Sequence, residues 1–264
     1  MWAFAKYHGL GNDFVIVERA ADSIDLAWVR AICDRHRGVG ADGVLALARL
    51  GDDRVRMVVF NRDGSRPQMC GNGVRCAAGY ARRHWGMGER LVVESDAGPR
   101  HCEVGLGEGP AAWQVRVDMG AAIVEEAPEL ALSHQGTRWP YVQVDMGNPH
   151  AVIFEHPNLE VIDRLGAAAN ADHPQFEEGT NVEFVERQDD GWRVTVYERG
   201  VGRTQACGTG ACAVAAAIWA KGWGDADAPL VVELPGGTLE LERRDGQIWM
   251  QGPAVEVFSG IYTG

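Results

Sequence analysis

The sequence predicts an α+β fold made of two similar halves, and three observations carry that expectation. Runs rich in Val and aromatic residues outnumber helical segments and do not alternate with them regularly, which disfavours a doubly wound sheet. The phrase "PQMCGNGVRCAAGYA" at 67–81 returns as "TQACGTGACAVAAA" at 204–217. Two further echoes keep the same order at nearly the same offset. Gly11 and Asn12 before "FVIV" match Gly147 and Asn148 before "AVIF", and Gly40, Ala41 and Asp42 match Gly179, Thr180 and Asn181. Three matches in one order point to an internal duplication.

In chain order, the period-2 patterning predicts strands at 13–18, 44–49, 55–60, 90–95 and 113–118. It predicts further strands at 141–145, 151–155, 182–186, 192–197, 230–234, 238–243 and 247–251. Helices are expected at 26–36, after each of Cys70 and Cys207, and more weakly near 161–170. The halves meet in the Gly/Pro-rich, weakly periodic stretch 105–140. Aligning Cys70 with Cys207 also matches Gln68 with Gln205, Arg66 with Arg203, Arg62 with Arg199, Phe60 with Tyr197 and Arg56 with Arg193. Each cysteine therefore follows a strand and a turn, and opens a helix.

"GVGADG" at 38–43 fits a dinucleotide fingerprint by letter. That fingerprint needs a strand before it and a helix after it. Here a helical pattern precedes and "VLALAR" follows, so the order is reversed.

The 264 residues suffice for one large domain or two medium ones. A formal net charge of −12 argues against a nucleic-acid surface or a polybasic membrane patch. The N-terminal residues lack a secretory pattern, and the longest apolar stretch, 211–220, is too short to span a bilayer. The expectation is a cytoplasmic protein whose six cysteines are thiols.

A cysteine at a helix start meets unsatisfied N–H groups and a partial positive charge, which favour a thiolate. The same N–H groups hold an anion such as a carboxylate. Glycines 71, 73, 208 and 210 let the backbone approach a ligand closely. Two such thiols on opposite faces of one carbon would invert it, one removing a proton and the other delivering one. Cys33, Cys76, Cys102 and Cys212 read as ordinary core residues. Arg75, not Cys76, aligns with Cys212, which argues against two equivalent zinc knuckles. A thiol-redox pair remains open, although neither half contains C-x-x-C. Asn12, Asn61, Asn148 and Asn181 lie at strand–turn junctions, and Arg199 is a fork donor suited to a carboxylate.

These residues resemble the diaminopimelate epimerase family across nearly the whole chain. The resemblance rests on "HGLGNDFVIV" (8–17), "RHRGVGADGV" (35–44), "FNRDGS" with "MCGNGVRC" (60–76), "MGNPHAVIF" (146–154), "GTNVEFV" (179–185) and "VYERGVGRTQACGTGACA" (196–213). It implies a pyridoxal-phosphate-independent isomerase of lysine and peptidoglycan precursor biosynthesis, with no cofactor and no metal. Cys70 and Cys207 would be the acid/base thiols. Gly71 with Asn72, and Gly208 with Thr209, would hold the reacting carboxylate. Asn12, Asn61, Asn148, Asn181, Glu198 and Arg199 would bind substrate, and His150 and Glu198 would tune the thiols.

The family fold implies two domains, 1–117 with 252–264 and 118–251, each a mixed sheet around a central helix, with the site in the cleft between them. Family members are commonly homodimers. Two departures stand out: some members carry glutamine where this chain has Gly43, and "RPQ" at 66–68 replaces a more acidic version. The nearest rival is a sister cofactor-independent racemase or epimerase of proline, hydroxyproline or histidine, which would be expected to lack the distal clamp of Asn61, Asn148, Asn181 and Arg199.

Overall fold

The computed structural model describes residues 1–127, 130–171, 175–225 and 227–264. It divides into two compact units, Met1–Asp118 with Gln251–Gly264, and Met119–Met250. The first unit runs β1 (Trp2–Gly9), β2 (Asn12–Glu18), α1 (Leu26–Cys33), β3 (Gly43–Arg49), β4 (Arg54–Asn61), α2 (Gly71–His84), β5 (Arg90–Ser95), β6 (Gly98–Leu106) and β7 (Ala112–Gly120). There follow β8 (Ile123–Glu125), β9 (Ala131–His134), β10 (Thr137–Pro140), β11 (Val142–Asp145), β12 (Pro149–Ile153) and α3 (Leu159–Ala169). The chain ends with β13 (Asn181–Gln188), β14 (Gly191–Glu198), β15 (Gly202–Arg203), α4 (Gly208–Ala220), β16 (Leu230–Leu234), β17 (Gly237–Arg244) and β18 (Gln247–Tyr262).

In the first unit β1 to β7 pair in sequence, and β18 neighbours β7 and also pairs with β1. The register Trp2↔Tyr262 to His8↔Val255 closes this sheet on itself. The helix α2 packs against β1 to β6 inside it. Its sequence explains the position: "GNGVRCAAGYA" is nearly all small residues, and every residue from Gly71 to Ala81 is buried. A Cβ on Gly79 would lie 3.0 Å from Trp113, so helix and wall approach as closely as glycine allows.

The second unit repeats the connectivity. In the first, β1–β2 is antiparallel, β2–β3 parallel, β3–β4 antiparallel, β4–β5 parallel and β5–β6 antiparallel. In the second, β11–β12, β12–β13, β13–β14, β14–β16 and β16–β17 follow the same alternation. In each unit one helix bridges the first parallel pair and another the second, α1 and α2 matching α3 and α4. The sequence "GTGACAVAAAIWA" of α4 is apolar all round, as a helix buried on all sides requires, and it packs against β8, β11, β12, β13, β16 and β17.

One sequence expectation needs correction. The helix expected over 26–36 stops at Cys33, because Asp34 leaves the helical region (ψ 121°) and its Oδ1 accepts the His36 and Arg37 N–H groups at 2.7 and 2.9 Å. The weakly periodic stretch 105–140 carries more strands than the one expected at 113–118. It holds the end of β6 and all of β7 to β10, with 128–129 outside the described residues. The strands β1, β6, β8, β9, β10 and β15, and the far half of β18, were absent from the sequence reading.

Candidate active site

Both Cys70 and Cys207 are the N-cap residues of their helices. Cys70 has φ −143° and ψ 115°, and Cys207 has φ −124° and ψ 111°. Each sulfur accepts an N–H from the helix's first turn at 3.4 Å, from Gly73 and Gly210 respectively. The duplication is therefore preserved down to the capping bond, and each thiol lies where the helix dipole favours negative charge.

Around Cys70 the first unit builds an amide relay. The half-buried Cys70 sulfur lies 3.9 Å from Asn12 Oδ1, which also accepts from Asn72 Nδ2 at 3.0 Å. Arg75, fully buried, donates to Asn72 Oδ1 at 2.8 Å and to the Pro253 carbonyl at 3.2 Å. Asn12 Nδ2 donates to Asp42 at 3.0 Å. Arg35 joins Asp42 to Asp13 with contacts of 2.7 Å, and Lys6 meets Asp13 at 2.5 Å. Burial pushes the Asp13 carboxyl upward, but Arg35 and Lys6 outweigh it and hold its pKa at about 2. Asn61, at the end of β4, donates to Ser65 Oγ at 2.9 Å. Gly71 is the first, buried residue of α2.

Gly43 pairs with Asn61 in the β3–β4 ladder, and a Cβ there would come within 2.5 Å of the Phe60 carbonyl oxygen. No side chain fits at this position without moving the strand, so the glutamine that some family members carry has no room on this backbone.

Around Cys207 the second unit gathers acids. The buried Cys207 sulfur is 3.5 Å from Thr209 Oγ1 and adjoins the Glu198 carboxyl. Glu198 accepts from Thr204 Oγ1 at 2.6 Å. Burial raises the Glu198 pKa, and the neighbouring Glu183 raises it further. Burial also pushes the Cys207 thiol well up, followed by the charges of Glu198 and Glu183. His150 and Glu183 are both fully buried, with Nδ1 and Oε1 2.7 Å apart. Asn148 Oδ1 lies 3.2 Å from the other ring nitrogen of His150. Asn181 spends both ends of its amide on the backbone, donating to Pro149 O at 3.2 Å and accepting from Arg199 N at 3.0 Å. The Arg199 side chain is exposed, with Glu178 at 3.9 Å. Gly208 is buried at the first position of α4.

All six cysteines are free thiols. Burial lifts Cys33 to about 11 and Cys76 to about 12, consistent with inert core positions. Sequence reasoning missed Lys6, Asp13, Arg35, Asp42, Arg75 and Glu183. Gly-x-Asp occurs at both 11–13 and 40–42, a signal available for the Asp13–Asp42 network, and the acid inside "NVEFV" is the signal for Glu183. Among the described residues no helix is long and apolar enough to cross a membrane.

The family profile described as diaminopimelate epimerase matches residues 4–124 and 142–257. A diaminopimelate epimerase of Synechococcus elongatus is 43% identical, covering 97% of this chain and 96% of its own. One of Moorella thermoacetica is 41% identical, covering 98% of each. Among solved structures, a probable proline racemase from Agrobacterium radiobacter superimposes with a TM-score of 0.73 at 18% identity, over 100% of this chain and 93% of that one. A hydroxyproline epimerase from Agrobacterium vitis gives 0.71 at 15% identity, over 98% and 90%. At that identity the structures share a fold; the sequence matches go further, and this chain belongs to the diaminopimelate epimerase family.

Proposed function

We propose that this chain interconverts LL-2,6-diaminopimelate and meso-diaminopimelate by proton transfer between two thiols, Cys70 and Cys207. The observation that carries the reading is the repeated N-cap geometry, a sulfur held at the start of a buried helix in each of two topologically matched units. One sulfur, as thiolate, takes the α-proton. The electron pair of the broken C–H bond delocalises into the substrate carboxylate, and the other thiol gives its proton to the opposite face. The α-carbon is thereby inverted, and each turnover leaves the two sulfurs with exchanged protonation. We read the two units as the family's two epimerase domains, with the substrate in the cleft between them.

The N–H groups opening α2 and α4, at Gly71 with Asn72 and at Gly208 with Thr209, would bind the reacting carboxylate. They stabilise the charge that builds there, an effect worth roughly 3–4 kcal/mol for a single well-placed donor. Arg199 has a guanidinium free to reach solvent, and with Asn61, Asn148 and Asn181 it would hold the distal, non-reacting amino-acid end. Asn12 orders the Cys70 side through its bonds to Asn72 and Asp42. His150 and Glu198 would set the protonation of Cys207. Retention of the distal clamp favours diaminopimelate over proline, hydroxyproline or histidine, which have no second amino-acid end to hold. The family habit supports a cytoplasmic homodimer, and sedimentation of the purified chain measures its mass.

The deciding experiment is incubation of LL-diaminopimelate in deuterated water with no added cofactor. Deuterium should enter one α-carbon as the meso isomer forms. Absence of exchange, or exchange that depends on pyridoxal phosphate, would overturn the assignment.

A further inference from the structure

The two half-sites share backbone geometry but differ in the buried charge beside the cysteine. Within α2 the charged residue that is fully buried is Arg75, which occupies the position aligned with the uncharged Cys212 of α4. Next to α4 the fully buried ion is Glu183 on β13. Its Oε1 meets His150 Nδ1 at 2.7 Å. This contact fixes the orientation of the ring, whichever of the two atoms holds the shared proton. Its Oε2 is buried without a hydrogen-bond partner among the described residues. A buried acceptor with nothing to accept costs stability, and its presence calls for a functional reason.

The other oxygen, Oε1, adjoins Gly210. A Cβ on that residue would fall 2.8 Å from Glu183 Oε1 and 3.3 Å from the Cys207 sulfur. The carboxylate therefore presses against the first turn of α4, on the residue whose N–H caps the thiol. Among the described residues Glu183 from β13 and Glu198 from β14 bear on Cys207, and His150 from β12 bears on both carboxyls. The first turn of α4 adds the uncharged Thr209 and Gly210. Two carboxylates around one sulfur oppose the helix dipole that would otherwise ionise it.

We propose that Glu183 is a positioning residue of the Cys207 half-site, fixing the His150 ring and, with Glu198, holding the Cys207 sulfur in its protonated form until substrate binds. This rests on the two-thiol reading above, and it deepens it by naming Cys207 as the proton donor of the resting enzyme. It also gives the asymmetry a purpose: unequal half-sites fix which of the two sulfurs holds the proton before substrate binds, where identical ones would share it evenly. The charged substrate carboxylate and the helix termini then meet one acid and one base.

The test is Glu183→Gln, which keeps shape and hydrogen-bonding reach but removes the charge. Alkylation of each cysteine by iodoacetamide, followed peptide by peptide across pH, reports the ionisation midpoint of Cys207 without needing turnover. The midpoint of Cys207 should fall by about one pH unit or more in the variant. The kcat for diaminopimelate should drop about 10- to 100-fold with KM little changed, and its pH profile should move to lower pH. A variant with an unmoved Cys207 midpoint, whatever its melting temperature, would show Glu183 to be merely structural and would overturn the proposal. Should the variant fail to fold, the wild-type chain still decides: a Cys207 midpoint at or below that of an ordinary thiol overturns it. Loss of the epimerase reading alone would leave the alkylation result standing, so the two failures are distinguishable.

Discussion

Asn181 accepts the backbone N–H of Arg199 on its Oδ1 at 3.0 Å, tying the start of β13 to the residue that follows β14. An asparagine placed by sequence as a ligand is thus also the brace of the arginine beside it. Asn181→Ala should leave that N–H and the Pro149 carbonyl without their partner, costing about 1–3 kcal/mol of stability. Because Arg199 is loosened while the thiols are untouched, KM for diaminopimelate should rise about tenfold with a smaller change in kcat. Steady-state kinetics beside a melting curve checks both.

The thiols serve as caps as well as acids and bases, and the two roles separate by mutation. Cys70→Ser and Cys207→Ser should each keep the helix cap, serine being a favoured N-cap residue, while activity falls by about 10²–10⁴-fold or more. Cys70→Ala and Cys207→Ala should lose the same activity and a further ~1 kcal/mol of stability. Equal melting temperatures for the serine and alanine variants would refute the capping role.

Gly73 and Gly210 are matched in the duplication but not in tolerance. A Cβ on Gly73 meets the Leu45 methyl at 3.2 Å, which a small side-chain rotation relieves. A Cβ on Gly210 meets a carboxylate oxygen anchored by His150. Gly210→Ala should therefore destabilise the chain more than Gly73→Ala, by about 1–3 kcal/mol, measured by chemical denaturation.

Arg75→Leu should be severe. It removes a fully buried guanidinium and leaves Asn72 Oδ1 and the Pro253 carbonyl without that donor. The expected loss is about 3 kcal/mol or more. The relay to Asn12 should loosen with it, lowering kcat/KM in whatever protein remains folded.

The Asp13 carboxyl gives a pH dependence with a definite sign. Its folded pKa of about 2 lies below the ordinary 3.8, so the stabilisation from Lys6 and Arg35 is complete above pH 3.8. It is lost as pH falls from there toward about 2. Asp13→Asn should lower stability at neutral pH and flatten the acid limb of the stability curve, read by denaturation at a series of pH values.

Much of this was legible because it is local. A cysteine followed by Gly-x-Gly after a turn signals a helix start, and both sulfurs lie at N-caps. The echoes of Gly11–Asn12 and Gly40–Asp42 fall on the strand ends that repeat in the topology. What stayed hidden depends on partners distant in sequence. "VRCAAGYARR" reads as a helix with basic residues on its surface, and Arg75 is buried through the Pro253 carbonyl, 178 positions away. Glu183 looks like a polar break in a strand until the parallel β12–β13 pairing brings it to His150. Lys6, in a segment given no strand, is buried because Asp13 faces it from β2.

The pairing of Trp2 with Tyr262 sets an order of events during synthesis. β1 emerges from the ribosome well before residues 251–264, and its own sheet stays incomplete until that later segment follows. The second unit lies entirely between these two ends in the chain, and all of its residues are available earlier. Nascent chains arrested short of residue 251 would carry the Cys70 half-site in an unfinished wall, lacking the Pro253 carbonyl that anchors Arg75. A chain ending before residue 251 would thus keep both cysteines yet lose the support of one of them, which ties the Cys70 half-site to synthesis of this later segment.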